Sequence, residues 1–217
     1  MTEQLSLDLP YRTAYGREAF WVAPCNNQAV AWIDKYPDWP VPAVLIYGPA
    51  GSGKTHLVHL FTENVIDGRT LTSDYRPPFQ KKIAVENVDK LASEEALLHL
   101  FNFIKELGGS LLLTARTIPR FSLPDLQSRM ALVPKIEIEM PDEQVIQMVA
   151  QKAFEDRHIL VEENVLSYLS THLTRSFPLV QKVVELADKK SLSAGRKITI
   201  PILKQTIDDI SKEQELC

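Results

Sequence analysis

The sequence predicts an α/β domain with a mostly parallel sheet flanked by helices, followed by a small all-helical domain. Three observations carry that prediction. The apolar run Val44-Leu45-Ile46-Tyr47 breaks into a glycine-rich loop, Gly48–Thr55, and resumes as an amphipathic segment, which reads as strand, loop and helix. Short aliphatic runs recur at Ile83–Val85 and Leu111–Thr114 with a helical pattern between them, and such an alternation demands right-handed crossovers and parallel strands. Beyond Pro141 the strand-like runs stop and helix-start signals follow one another.

Taken in order, Met1–Pro10 sets leucines at 5, 7 and 9 between polar residues. That alternation suits a terminal strand, a peptide docked in extended form on another protein, or a self-packed terminus. Phe20–Ala29 leads into an amphipathic helix ending before Tyr36-Pro37, and prolines at 37, 40 and 42 enforce an extended connection to a strand at Ala43–Tyr47. The helix after the glycine-rich loop carries Leu57, Leu60 and Phe61 on one face, runs to about Asn64, and turns at Gly68. Arg69–Lys82, with Pro77-Pro78 inside it, leaves room for one brief strand at best. Ser93 followed by Glu94 and Glu95 opens a helix whose stripe is Leu97, Leu100, Phe101, Ile104 and Leu107, and Gly108-Gly109 stops it. Lys135–Glu139 alternates as the last strand. Helices are then expected from Asp142-Glu143 to about Arg157, from Glu162, from the turn holding Pro178 to about Ser193, and over Ile200–Ile210. The expected division is 1–14, an α/β domain over 15–140 and a helical domain over 141–217.

Composition narrows the function. A net charge of -4 over 217 residues provides no global basic field for nucleic acid, and ten Lys/Arg against twelve Asp/Glu from Pro141 to Cys217 conceal no basic module there. Cys25 and Cys217 are far apart and form no metal-binding spacing. With no secretory pattern at the N-terminus and no apolar run of membrane-spanning length, the expectation is a reduced, cytoplasmic protein without membrane contact.

Gly48, Pro49, Ala50, Gly51, Ser52, Gly53, Lys54 and Thr55 match G-x-x-x-x-G-K-[ST], with His56 next in the chain. Glycines let the backbone curl so that its N–H groups face phosphate oxygens, Lys54 reaches the terminal phosphates, and the Thr55 hydroxyl ligates Mg2+. The positive end of the following helix adds to the anion site. A nucleotide-hydrolysing site also needs an acid at a neighbouring strand tip, and Ile83-Ala84-Val85-Glu86-Asn87 supplies Glu86 for the metal. Asn87 sits where a water-polarising acid would be, and an amide cannot accept a proton, so intrinsic hydrolysis is expected to be slow.

Together, GPAGSGKTHL, the FWV…N…A lead-in, LPDLQSRM and RKITIP resemble the Hda/DnaA family of AAA+ proteins over nearly the whole chain. The resemblance implies an AAA+ P-loop domain with a helical lid, and ADP or ATP with Mg2+ as ligands. It implies that Phe20, Val22 and Asn26 border the adenine. It further implies that Arg129 is an arginine finger, offered to a nucleotide on a neighbouring molecule, and that DnaA is that partner. QLSLDL is similar to the family's hexapeptide for the sliding clamp of DNA polymerase III, with Gln4, Leu5, Leu7 and Leu9 as its contacts. No sequence-specific DNA contact is implied, because the family's DNA-reading helix-turn-helix is not in this stretch. A homodimer is left open.

Two positions depart from the family pattern. Arg116 stands where an acid usually serves as first sensor, and Pro178 replaces the second-sensor arginine at a helix start, with Arg175 three residues upstream. These changes, with Asn87, imply a nucleotide kept as a structural ligand and poorly hydrolysed. The rival readings are an autonomous helicase-loader-like ATPase, which would turn over through Lys54 and Glu86, and a P-loop kinase, which the near-balanced charge of the helical region disfavours.

Overall fold

The computed structural model describes residues 11–13 and 19–215, with side chains over 22–193 and 195–212. The chain forms two compact units, Met1–Glu139 and Met140–Cys217.

In the first unit β1 (Tyr11–Thr13) pairs antiparallel with β2 (Ala19–Trp21), and α1 (Asn27–Asp34) follows. Then come β3 (Ala43–Tyr47), α2 (Lys54–Phe61), β4 (Val65–Asp67), β5 (Lys82–Glu86), α3 (Glu94–Glu106), β6 (Ser110–Ala115), α4 (Pro124–Leu132) and β7 (Lys135–Glu137). The five-stranded sheet is parallel throughout, in the order β4-β5-β6-β3-β7. Period-two alternation sends Ala43 and Leu45 of β3 to one face and Val44 and Ile46 to the other. The first pair joins a core with Leu97, Leu100 and Ile104 of α3 and Leu126 of α4. The second pair packs with Leu57, Val58 and Phe61 of α2 and Ala29 of α1. Because both faces are covered, the inner parts of β3, β5 and β6 are continuous apolar runs.

Four features differ from the sequence expectations. The brief strand lies at Val65–Asp67, ahead of Gly68, and no strand occurs in 69–81. The preceding helix stops at Phe61, where Thr62 turns to extended backbone with its hydroxyl on the Lys82 carbonyl (3.1 Å). Residues Pro124–Leu132 form a helix that the apolar pattern does not announce, since only Leu126 and Met130 are buried in it. Of the short hairpin pairing 11–13 with 19–21, the polar composition gives no sign.

The second unit consists of α5 (Glu143–Glu155), α6 (Glu163–His172), α7 (Phe177–Ala194) and α8 (Ile200–Glu215). Asp142 caps α5 by accepting the Val145 amide at 2.7 Å, and Pro178 occupies the first turn of α7, where its missing N–H costs nothing. Ile146, Val149, Phe154, Leu169, Val180, Val183 and Leu203 are buried among these helices. No described helix is long and apolar enough to cross a membrane.

Candidate nucleotide-binding site

Parallel strands deliver their last residues to one edge, and the neighbouring ends assemble the site. β3 passes into the glycine-rich loop, and Tyr47 stands level with Ala115 of β6 and Glu137 of β7. Asp67 ends β4 level with Glu86, the last residue of β5. The Gly48 amide donates to the Ala115 carbonyl at 3.2 Å. A Cβ on Gly48 would lie 2.2 Å from the Ile138 carbonyl oxygen, so only glycine lets the loop leave the sheet here. Gly53 enters α2 in the left-handed region with φ +95°. The amides of Lys54 and Thr55 then open the helix with no carbonyl a turn behind them.

The polar side chains at this edge are tied together in pairs. The half-buried Lys54 ammonium donates to the carbonyls of Gly48 and Pro49, both at 2.7 Å, and to Ser52 Oγ at 3.3 Å. Thr55 Oγ1 donates to Glu86 Oε1 at 2.6 Å. Asn87 adopts a left-handed backbone, φ +56°, and its Nδ2 donates to Asp67 Oδ1 at 3.1 Å. Arg69 closes on Asp67 through Nε (3.0 and 2.9 Å) and Nη2 (2.5 Å). Hydrogen bonds from Arg69, and a further one from Asn87, hold the Asp67 carboxyl well below the usual carboxylate range. Burial, and then the Arg116 guanidinium, push Lys54 below the ordinary lysine value, while Asp89 and Glu86 act in the other direction.

This donor set fits a nucleotide with Mg2+. The lysine and the open helix amides suit phosphate oxygens, and the touching Thr55 hydroxyl and Glu86 carboxylate are hard oxygen donors. Among the described residues there is no cluster of three or more His, Cys, Asp or Glu that would cage a metal alone. Mg2+ in such sites takes few protein oxygens and relies on phosphates and water.

Val22 is half-buried against the α1–α2 core, and Asn26 is buried with its Oδ1 accepting the Ala23 amide at 2.8 Å, which fixes the turn into α1. Phe20 is described by backbone alone, within β2, and Gln4, Leu5, Leu7 and Leu9 lie outside the described residues. His56 is half-buried in the first turn of α2. Arg129, on α4, is half-buried; its Nε is shielded from solvent without a hydrogen-bond partner, and it makes no ion pair among the described residues. In the helical unit Arg175 pairs with Glu143 at 2.9 Å.

Sequence reasoning missed three residues. Asp67 orients both Asn87 and Arg69, and Asp89 Oδ1 accepts the Arg116 amide at 3.3 Å. Glu94 accepts the amides of Ser122 (2.9 Å) and Leu123 (2.7 Å), placing a carboxylate at the N-terminus of α4. Of these, only Glu94 carries a local sign, as an acid in a helix's first turn, and that sign points to its own helix.

A model of the Hda lid domain matches residues 142–207, the greater part of the helical unit. Across both units, an uncharacterized protein of Haemophilus influenzae is 32% identical over 196 residues, covering 79% of this chain and 84% of the relative. The chain belongs to the Hda/DnaA-like AAA+ family. Solved structures of the family agree in fold. Domain III of Thermotoga maritima DnaA superposes with a TM-score of 0.67 at 19% identity, covering 87% of this chain and 93% of that one. AMPPCP-bound DnaA from Aquifex aeolicus gives 0.65 at 18% identity, covering 80% and 65%. The AAA+ α/β fold with an Hda-type lid, expected from the sequence, is therefore the fold of this protein.

Proposed function

We propose that this DnaA-related AAA+ protein is a negative regulator of replication initiation that acts as an adaptor. Gln4, Leu5, Leu7 and Leu9 dock on the sliding clamp of DNA polymerase III, the glycine-rich loop retains ADP or ATP with Mg2+ through Lys54, Thr55 and Glu86, and Arg129 is offered to ATP held by DnaA. A planar, permanently charged guanidinium suits the charge that builds on the γ-phosphoryl group as water displaces ADP from it. Tethering at the clamp raises the effective concentration of the AAA+ body, so that two modest contacts act as one strong one.

The observation that carries this reading is the Arg129 side chain. It is half-buried on α4, with Nε unpaired and no carboxylate engaging it among the described residues, which is the state expected of a cation whose partner comes from another molecule. The rival, an autonomous ATPase, is disfavoured by Asn87, whose amide cannot accept a proton and whose Nδ2 is committed to Asp67.

The test is ATP hydrolysis by DnaA in the presence of DNA-loaded clamp. Arg129→Ala is expected to abolish the stimulation while leaving clamp and nucleotide binding intact, and Leu5→Ala with Leu7→Ala to abolish clamp binding. Stimulation that survives Arg129→Ala removes the finger assignment, and clamp binding that survives the leucine changes removes the tether.

A further inference from the structure

Among the described residues nothing engages the Arg129 guanidinium. Its Nε is shielded and unpaired, and Asp125, at the four-residue spacing that yields helical ion pairs, makes none with it. The place of the guanidinium therefore follows the place of α4, and α4 is lightly anchored. It is nine residues long and buries only Leu126 and Met130. Four residues apart, these two form one stripe, which holds the helix against the core without stopping it from sliding or rolling along that line.

What fixes the start of α4 is borrowed from another helix. Leu123, at the N-cap, has no side chain able to cap, and Pro124 after it has no amide N–H. The half-buried Glu94 carboxylate, in the first turn of α3, takes the two amides just ahead. Its Oε1 and Oε2 both accept the Ser122 N–H at 2.9 Å, and Oε2 accepts the Leu123 N–H at 2.7 Å. Burial works against that negative charge, but the bonds from Ser122 and Leu123 outweigh it and hold the Glu94 carboxyl below its usual value. The connection into α4 is tied at its other end as well, since the Arg116 amide donates to Asp89 Oδ1 at 3.3 Å. The run 116–123 is thus secured at both ends to the run 89–94, whose last residue opens α3.

We propose that Glu94 is a positioning residue for Arg129: by holding the start of α4, it sets where the guanidinium is presented to the nucleotide of a neighbouring molecule. The inference rests on Arg129 being the finger of the proposed function. Glu94 touches no reacting atom and acts only through the helix. Its leverage comes from the steep dependence of catalysis on geometry, where a displacement of about 1 Å costs on the order of 100-fold in rate. Arg129, with no partner of its own to correct its aim, passes any shift of α4 directly to the reaction.

The experiment titrates the full chain into DnaA with ATP and DNA-loaded clamp, and reads the maximal stimulated rate of hydrolysis and the concentration that gives half of it. Glu94→Ala is expected to lower the maximal rate by roughly 10- to 100-fold and to leave the half-maximal concentration unchanged, because recruitment through the clamp is untouched. Glu94→Gln keeps an acceptor oxygen and loses only the charge at the helix end, so it should lose about 2- to 5-fold in the same parameter. Urea midpoints verify that each variant is folded at the assay temperature, and Glu94→Gln carries the test if Glu94→Ala is not. An unchanged maximal rate in the folded variants, or a loss that appears only as a higher half-maximal concentration, overturns the positioning role and leaves Arg129 its own. Stimulation that survives Arg129→Ala in the same assay overturns the finger reading, and this inference with it.

Discussion

Two corners of the α/β unit treat their polar groups in opposite ways. At the strand-end edge Lys54, Thr55, Glu86, Asp67, Asn87 and Arg69 all have partners within hydrogen-bonding distance in their own chain. On α4 the helix itself is well fixed, with the Glu94 carboxylate at its N-terminus, yet Arg129 is left with a shielded and unpaired Nε. A buried donor without a partner costs about 1–3 kcal/mol, and a fold shaped only for stability would have removed it. Under the proposed function, the contrast separates a site that is complete in one chain from one that a second molecule completes.

The largest expected effect comes from breaking the first corner. If the loop is a nucleotide site, ligand at 100 to 1,000 times its dissociation constant stabilises the wild type by about 3–4 kcal/mol. Lys54→Ala should erase that stabilisation. The ligand-free protein should change little, because the ammonium is bonded only to groups of its own loop. Thermal unfolding with and without ADP measures both quantities, and a full ADP-induced rise in Tm in the variant would show that the loop's lysine is not a ligand.

A smaller effect tests whether α4 is held as firmly as its cap suggests. Glu94→Ala removes the acceptor of the Ser122 and Leu123 amides and should cost about 1–2 kcal/mol, as loss of a helix cap does. Glu94→Gln, which keeps one acceptor oxygen without the charge, should cost less. Urea midpoints of the two variants give the comparison. If Glu94→Ala is neutral in stability, α4 is positioned by Leu126 and Met130 alone.

These same elements show what a sequence can and cannot reveal. β3, β5, β6 and α3 were legible because burial on a sheet face or a helix stripe forces an apolar pattern at a fixed period, and Ser93 caps α3 through the Ala96 amide as its position suggests. β4 was not legible, because three residues following a helix carry no period to measure. α4 was not legible for another reason. It buries only Leu126 and Met130, and its capping carboxylate comes from Glu94, 28 residues before Ser122 in the chain. In the site, the loop and Glu86 were readable from residue type and spacing. The ties from Asp67 to Asn87 and from Asp89 to Arg116 span 20 and 27 residues and exist only once the parallel register is formed.

The smallest effect concerns Asp67 and sharpens the description of the strand-end edge as pre-tied. Its folded carboxyl is held below the ordinary value chiefly by Arg69, so the pair's contribution is fully present above the unfolded pKa, near 3.9, and is lost as pH falls through the folded one. With the Asp67 side chain 32% and the Arg69 side chain 61% exposed, solvent screens the pair, and Asp67→Asn should cost under about 1 kcal/mol at pH 7. The wild type's advantage should then shrink as pH is lowered below about 4, because protonation of Asp67 takes from the wild type what the substitution has already taken from the variant. Denaturant midpoints of the two proteins between pH 7 and pH 3 measure it. A difference that stays constant with pH would mean that Asp67 acts by shape, through its bond to Asn87, and not by charge.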